Sequence, residues 1–363
     1  MKRFFKHLSP SLLFAALLCF SLTSCDFLGD LTSEDGPDSS DGVYLFPVRI
    51  EGQWGFINQN GRIIIEPEFD SGQYFSEGLA RVRDGGVGYL DANGEWVIQP
   101  RFQNGRQFQD GLAAVEIDGR WGFINKSGAF AINPQFNEAL SFKEGRAFVL
   151  TASFDWEYID ITGEIVRTIN TPELDDFENS DWNNYSNGLA LVQDFDTDQY
   201  GYIDENGDMA INFQYAEARG FYDGLAAIKI SDSWGFIDTE GNTVIAPRYI
   251  EAGNFGNGLV PVRENTNTWG YADKSGRIVI EPQFDDARMF SEGRAAVLLD
   301  GFWGFIDESG NLIGKADYDE VSEFNKGVAL VILEKVDPNN ENNRLTNYGY
   351  MGRDGKLVWY PTR

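Results

Sequence analysis

The chain consists of short apolar runs separated by glycine and Asx residues, and one of these runs keeps returning. Trp54-Gly55-Phe56-Ile57-Asn58 has near copies that begin at Trp121, Trp234 and Trp303. Looser copies begin at Val87, Trp156, Tyr200, Trp269 and Tyr348. The chain shows no long apolar pattern with a helical period, so the nine runs predict strands.

Each run is followed by a predicted hairpin turn. An Asx residue stands four positions after the Trp position in eight of the nine units: Asn58, Asp91, Asn125, Asp160, Asp204, Asp238, Asp273 and Asp307. A glycine stands seven positions after it in every unit: Gly61, Gly94, Gly128, Gly163, Gly207, Gly241, Gly276, Gly310 and Gly355. An Asx side chain bonds back to the main chain and glycine takes the left-handed conformation, so each run turns back into a second strand.

The second strand is predicted to end at a proline, because proline cannot donate a hydrogen bond to a ladder. The prolines are Pro67, Pro100, Pro134, Pro247 and Pro282. A connection with two aromatic residues follows, and then a third strand, which leads by a hairpin into the next unit. Each unit is therefore a three-stranded meander of about 34 residues that must stack on its neighbours to bury its aromatic side chains.

These features predict an all-β tandem array of nine units over residues 43–361. We find no split unit shared between the two ends, and nine units exceed the usual number of propeller blades. The sequence therefore favours an open β-superhelix or solenoid, with a closed propeller-like ring as the alternative.

The repeated motifs resemble those of the WG-repeat family of bacterial proteins over nearly all of residues 43–361. The resemblance implies a β-repeat architecture and little about activity. Four units depart from the pattern at the Trp or Gly position, through Val87, Glu157, Tyr200 and Tyr348, and Gly352 stands at the last Asx position.

The start of the chain predicts a lipoprotein signal peptide over residues 1–24. Lys2, Arg3 and Lys6 precede a short apolar run, and small residues lead to Cys25. This order is similar to a bacterial lipobox, in which the cysteine is lipidated and becomes the mature N-terminus. The expected product is anchored to the bacterial cell envelope, at the outer membrane, cell surface or periplasm, without spanning the membrane. Residues 25–42 are acidic and rich in Ser and Gly, which predicts a flexible tether. A plain signal peptide is the alternative.

The composition excludes several classes of function. The formal net charge is −28, which argues against nucleic acid as a partner. The chain has one histidine and two cysteines, His7, Cys19 and Cys25, so the mature array contains neither residue type. Catalytic Ser-His-Asp or Cys-His arrangements and ordinary zinc sites are thereby excluded from it.

Two irregular segments are candidates for binding. The longer insertion lies at 170–187, where Phe177, Trp182 and Tyr185 stand among carboxylates and amides and suit a sugar or a basic peptide. The hairpin before Tyr348 is also long. A tolerated insertion remains the structural alternative for the first segment.

A calcium site is a second candidate. Asp194, Asp196, Asp198 and Glu205 have the spacing of a calcium-binding loop. Gln199 stands where that loop needs glycine, and the flanking segments are predicted strands rather than helices, so an acidic hairpin tip is the alternative. No other cofactor is expected.

Anchor, tether and repeat together favour a membrane-anchored, non-enzymatic module that binds or scaffolds a protein or a glycan. The alternative is a carboxylate-based glycan hydrolase with its site at the 170–187 insertion. A purely structural role for the array is a third hypothesis.

Overall fold

The computed structural model describes residues 43–169, 185–194, 197–264, 267–337 and 340–362. Its regular elements are thirty-four strands: β1 Leu45–Ile50, β2 Gln53–Asn58, β3 Ile63–Phe69, β4 Ser71–Ser76, β5 Leu79–Arg83, β6 Val87–Leu90, β7 Trp96–Phe102, β8 Asn104–Gly105, β9 Leu112–Ile117, β10 Arg120–Asn125, β11 Phe130–Phe136, β12 Glu138–Ala139, β13 Arg146–Leu150, β14 Trp156–Asp160, β15 Ile165–Ile169, β16 Leu189–Asp194, β17 Gln199–Asp204, β18 Met209–Tyr215, β19 Glu217–Tyr222, β20 Leu225–Ile230, β21 Ser233–Ile237, β22 Thr243–Tyr249, β23 Glu251–Ala252, β24 Leu259–Arg263, β25 Trp269–Asp273, β26 Ile278–Phe284, β27 Asp286–Ser291, β28 Arg294–Leu299, β29 Phe302–Asp307, β30 Leu312–Tyr318, β31 Glu320–Val321, β32 Val328–Asp337, β33 Asn340–Gly352 and β34 Leu357–Thr362. No helix in these ranges is long and apolar enough to cross a membrane.

The strands form nine small antiparallel sheets, which we number as blades 1 to 9 in chain order. Seven blades have four strands, whereas blade 1 (β1–β3) and blade 5 (β16–β18) have three in the described part of the chain. The predicted hairpins are confirmed, but the predicted grouping into three-stranded units is wrong. The strand after each two-aromatic connection pairs with the next Trp strand and so belongs to the following blade.

The blades form a closed ring, so the predicted open superhelix is wrong. Tyr350 of blade 9 donates a hydrogen bond from its hydroxyl to Pro47 O of blade 1 at 2.8 Å, across 303 positions of sequence. Phe46, Val48, Leu330 and Tyr350 share one buried cluster. The two ends therefore close through side-chain packing between blade 9 and blade 1, and the described residues show no blade shared between the ends.

Proline does not end the outer strand of each blade. Trp54 pairs with Phe69 and Phe56 pairs with Ile65, so three residues around Pro67 stand opposite one residue, Gly55. This is a bulge on the last strand of the sheet, where a missing N–H leaves no ladder bond unmade. The predicted proline positions thus mark a bulge inside the strand.

The hydrophobic core lies between the blades. In each of eight junctions, the aromatic residue two positions after the Trp position packs against an aromatic residue of the next blade, as in Phe56–Phe75 at 5.2 Å and Phe305–Phe324 at 4.9 Å. In the next blade, the second residue of the second strand is small and fully buried, as Ala80 of β5 is. A single blade therefore buries its aromatic side chains only by stacking, as the repeat pattern predicts.

The buried tyrosines give the ring a defined response to alkali. Burial raises the pKa of Tyr89, Tyr158 and Tyr271 above the ordinary value of 10.0. A raised pKa in the folded state means that stability is complete below pH 10 and falls as the pH rises above it, because only the unfolded chain ionises these groups readily. We expect tyrosinate absorbance above pH 10 to appear in two phases, the second coinciding with loss of circular dichroism. A single phase with the fold intact would contradict this.

Candidate binding faces of the ring

The ring has two faces, defined by which turns reach them. The lower face carries the turns between first and second strands and those between third and fourth strands. The upper face carries the hairpins between second and third strands and the connections from blade to blade. The first strands lie towards the axis, because their residues bond to neighbouring blades, as when Ser76 Oγ donates to Phe108 O. The fourth strands lie at the outer rim, where Ile64 and Val97 are exposed.

The Asx side chains of the lower-face turns are occupied by the fold itself. In each of the eight predicted Asx turns a side-chain oxygen accepts two main-chain N–H groups, as Asp238 Oδ1 does from Glu240 and Asn242 at 3.1 and 2.8 Å. All nine predicted turn glycines have a positive φ, between 75° and 87°, as the predicted hairpin turns require. Hydrogen bonds from the Ser275 hydroxyl and the Ser275 and Arg277 amides lower the pKa of Asp273 to about 2, against some opposition from burial.

A second set of lower-face carboxylates and amides joins neighbouring blades. In the turn between first and second strands, the residue before glycine accepts the N–H of the corresponding glycine in the next blade. Examples are Asp110 to Gly145 N at 2.7 Å and Asp223 to Gly258 N at 2.7 Å. These side chains hold the ring together and are not free to recognise a ligand.

The upper face carries a carboxylate on each described hairpin between second and third strands. Seven of these carboxylates are on exposed residues, namely Glu51, Asp84, Asp118, Asp155, Asp198, Asp232 and Asp300. Glu264 is half-buried and lies 3.5 Å from the Arg248 guanidinium. This rim is not among the sites that the sequence predicts, although an acidic residue followed by glycine recurs before the third strand at Glu51, Asp118 and Asp300.

Apolar side chains lie beside these carboxylates. Phe154 is 75% exposed at the hairpin tip of blade 4, and Ile230 and Phe302 are each 47% exposed beside the tips of blades 6 and 8. Aromatic and aliphatic side chains framed by charge are characteristic of protein-binding surfaces. We call the seven exposed carboxylates, with Phe154, Ile230 and Phe302, the upper rim.

The tryptophans that open the near copies of the repeat are packing residues rather than sugar-binding platforms. Trp121, Trp234 and Trp303 are at most 8% exposed. An arginine in or directly after the first strand of the same blade covers each ring, as Arg288 covers Trp303 at 4.2 Å. Arg288 also donates to Val321 O of the next blade at 2.5 Å, so the Trp–Arg pair links two blades.

Two carboxyl groups near the axis have altered acidity. Burial raises the pKa of Asp286, and burial raises that of Glu323, with the Arg288 guanidinium opposing the shift in both. Both lie on the axial side of blades 8 and 9, at the start of β27 and just after β31. Nothing in their surroundings assigns them a reaction.

The residues of the predicted insertion site fall into two groups. Phe177 and Trp182 lie outside the described residues, as does Cys25. Tyr185 is fully buried, packs against Tyr158 at 5.4 Å and donates to Asp204 O at 2.9 Å. It occupies the same junction position as Phe75, so its ring belongs to the core. The insertion leaves from the upper-face end of β15, and the hydrolase hypothesis stays a prediction.

The predicted calcium ligands are placed at two ends of one strand. Asp194 and Asp198 flank the upper-face end of β17, whereas Glu205 follows its lower-face end, and Asp196 lies outside the described residues. The six residues of β17 separate the two ends by roughly 17 Å. No cluster of three metal-binding side chains occurs in the described ranges, and calcium binding stays a prediction.

Comparison with known protein families identifies the repeat. The family model described as WG containing repeat matches residues 54–87, 88–121, 121–151, 200–232, 234–266, 269–301 and 303–335. No match was found among curated proteins.

Several solved structures are similar in fold. A eukaryotic initiation factor matches with a TM-score of 0.57 and 10% identity, over 88% of this chain and 95% of that one. BamB from Moraxella catarrhalis matches with a TM-score of 0.43 and 12% identity, over 84% of this chain and 95% of that one. PorZ of Porphyromonas gingivalis matches with a TM-score of 0.30 and 11% identity, over 87% and 44%. At such identities the similarity to the initiation factor concerns the fold alone.

Proposed function

The chain belongs to the WG containing repeat family, and from this premise we propose that it is a lipid-anchored protein of the bacterial envelope whose nine-bladed ring binds a protein partner. The observation that carries the binding role is the upper rim, which combines exposed carboxylates with exposed apolar side chains on one face. The lower face offers less, because the Asx side chains of its turns and the acceptor side chains at its blade junctions are engaged within the fold.

The chemistry of the upper rim favours a partner with basic residues around an apolar contact. Carboxylates on hairpins of successive blades attract cationic side chains from several directions, and Phe154 and Phe302 supply apolar area for a dry contact. The fold holds these hairpins on rigid blades, which limits the ordering entropy lost on binding. Carboxylates also accept hydrogen bonds from sugar hydroxyls, but a neutral glycan gains no charge attraction from an acidic rim, so a basic protein is the better-supported partner.

The experiment compares two sets of four substitutions. The upper-rim set is Glu51→Gln, Asp118→Asn, Asp232→Asn and Asp300→Asn, which keeps side-chain shape. The matched control neutralises four exposed carboxylates of the outer strands through Glu66→Gln, Glu68→Gln, Glu281→Gln and Asp317→Asn. Both sets change the net charge equally, so a difference between them reports position rather than total charge.

Each immobilised chain is incubated with solubilised envelope protein from the source cells, and the retained proteins are quantified. We expect the upper-rim set to lose at least about 10-fold in retention, with salt-sensitive binding in the unaltered chain. Equal retention by both sets, or retention of polysaccharide alone, would contradict the proposal.

The proposed anchor rests on Lys2, Arg3, Lys6 and the small residues before Cys25. We expect Cys25→Ser to move the protein from the membrane fraction to the aqueous fraction, because a lipid chain needs this thiol. Unchanged fractionation, or a Cys25→Ser chain that still incorporates labelled palmitate, would contradict the anchor and leave the ring's binding role to its own test.

A further inference from the structure

The eight junctions between consecutive blades follow one rule. An aromatic residue of one blade packs against an aromatic residue from the first-strand segment of the next, with ring centroids 4.7 to 5.4 Å apart. Where the first of these residues is Tyr89, Tyr202 or Tyr271, its hydroxyl donates to a carbonyl of that same segment. The outer strand of each blade also continues covalently into the next blade.

The ninth junction, between blades 9 and 1, is built differently. Tyr350 takes the usual aromatic position, but its ring packs against Phe46 at 5.5 Å. Phe46 stands where seven of the eight other blades have alanine and blade 7 has Val260. A large side chain on the second-strand position thus fills the volume that an aromatic residue of the first strand fills elsewhere.

Tyr74 of blade 2 joins the same contact. Its ring packs edge-on against Phe46 at 6.5 Å, and its hydroxyl lies 3.1 Å from the Tyr350 hydroxyl. Both tyrosines are buried. The Tyr350 hydroxyl donates to Pro47 O, on β1, whereas the regular tyrosines donate to a first-strand carbonyl. Three blades therefore meet at this one junction.

On the lower face, Lys326 also departs from the pattern of the other junctions. Its position in blades 2 to 8 holds an acidic or amide side chain, and in six of these blades that side chain accepts a glycine N–H from the next blade. A lysine cannot accept, and Lys326 Nζ instead donates to Phe75 O of blade 2 at 3.1 Å and lies 5.3 Å from the Tyr44 ring. We call Phe46, Tyr74, Lys326 and Tyr350 the closing residues.

We propose that the ninth junction is the place where the ring opens, ahead of any loss of structure within a blade. The other eight junctions stay linked by the chain itself when their side chains separate, whereas the ninth is held only by contacts between the two ends of the array. Separating the closing residues breaks no strand pairing within a blade. Opening at the ninth junction gives the ring an open state in which the surfaces of blades 1 and 9 that pack against each other become accessible.

The absence of cysteine after Cys25 makes this opening measurable. In full chains carrying Cys19→Ser and Cys25→Ser, we introduce a single thiol by Val48→Cys or by Val297→Cys. Both valines are buried, at 3% and 0% exposure, and occupy the same strand position at the ninth junction and the junction of blades 7 and 8. Ellman's reagent under native conditions then labels each thiol only when its junction opens.

We expect the Val48→Cys thiol to react at least about 10-fold faster than the Val297→Cys thiol, with equal unfolding midpoints. Adding Phe46→Ala should raise the first rate further, on the order of 100-fold, and the milder Tyr350→Phe should raise it by roughly 2- to 10-fold. Adding Phe290→Ala, at the junction of blades 7 and 8, should leave the Val48→Cys rate unchanged.

Equal rates for the two thiols in the otherwise unaltered chain would overturn the proposal, because they would show that the ring opens only as a whole. The same conclusion would follow if Tyr350→Phe raised both rates by the same factor. If the Phe46→Ala chain fails to fold, the comparison of the two single thiols and of Tyr350→Phe still decides the question.

Discussion

Gly235→Ala is expected to lower the free energy of unfolding by about 3 kcal/mol, near the upper end of what overpacking costs. A Cβ at this position would lie 2.5 Å from Ile245 O and 2.7 Å from Pro247 N. Both are main-chain atoms of the bulged outer strand, so no side-chain rotation relieves the contact. The bulge itself would have to shift, together with the pairing of Trp234 to Tyr249. Urea denaturation followed by tryptophan fluorescence measures the change.

Blade 4 supplies a natural control, because Glu157 stands at the glycine position there. Its outer strand β15 has no proline and runs in step with β14, with Glu157 opposite Thr168 and Tyr158 opposite Arg167. The only shift in register falls after Tyr158, so no bulge crosses over residue 157. Glu157 is buried at 8% exposure and its site already accommodates a Cβ, so we expect Glu157→Ala to show none of the overpacking loss predicted for Gly235→Ala. A loss at Glu157→Ala equal to that at Gly235→Ala would show that the bulge is not the cause.

The same comparison explains which parts of the fold were predictable. The hairpin turns depend on residues four positions apart or fewer, as in Asp238 to Asn242, and their chemistry is visible in the sequence. The bulge also had a signal, because proline recurs near the end of the outer strand. Proline predicts a strand end because it cannot donate to a ladder, whereas on an outer strand it can stay within the strand.

Ring closure could not be predicted in the same way. Whether stacked blades close into a ring depends on the small angle between neighbouring blades. No residue pattern within one unit encodes that angle. The decisive contact joins Tyr350 to Pro47, at opposite ends of the array. Phe46 was the available signal, since it replaces the alanine of most other units, but its meaning depends on knowing that this position faces the neighbouring blade.

The candidate site was predictable only in part. As an aromatic residue beside an acidic insertion, Tyr185 favours a binding role, but it also holds the regular junction position and lies in the core. The upper rim is not predicted from the sequence, because its carboxylates lie in hairpins of varying length. Acidic residues in such hairpins are typical of any solvated surface. Only the sheet topology brings Glu51, Asp118 and Asp300 to the same face.

Phe305→Ala is expected to cost about 3–5 kcal/mol, the usual range for removing a buried phenylalanine. Phe305 is fully buried, and its ring meets Phe324 of the next blade at 4.9 Å in an edge-to-face arrangement at 70°. The loss therefore falls on the junction of blades 8 and 9 rather than on the pairing within β29. Guanidinium denaturation of the full chain, followed by circular dichroism, measures the change in unfolding midpoint.

Phe302 on the same strand is the matched control, because it is 47% exposed at the hairpin tip. Phe302→Ala should change stability by less than about 0.5 kcal/mol, and as part of the upper rim it should weaken partner retention instead. The double substitution of Phe305 and Phe324 should cost less than the sum of the singles by roughly 0.5–1.5 kcal/mol, because the two rings stabilise one another. Additive losses at this pair would mean that the blades are held together by something other than their aromatic contacts, and the junction rule that distinguishes the closing residues from the rest would lose its basis.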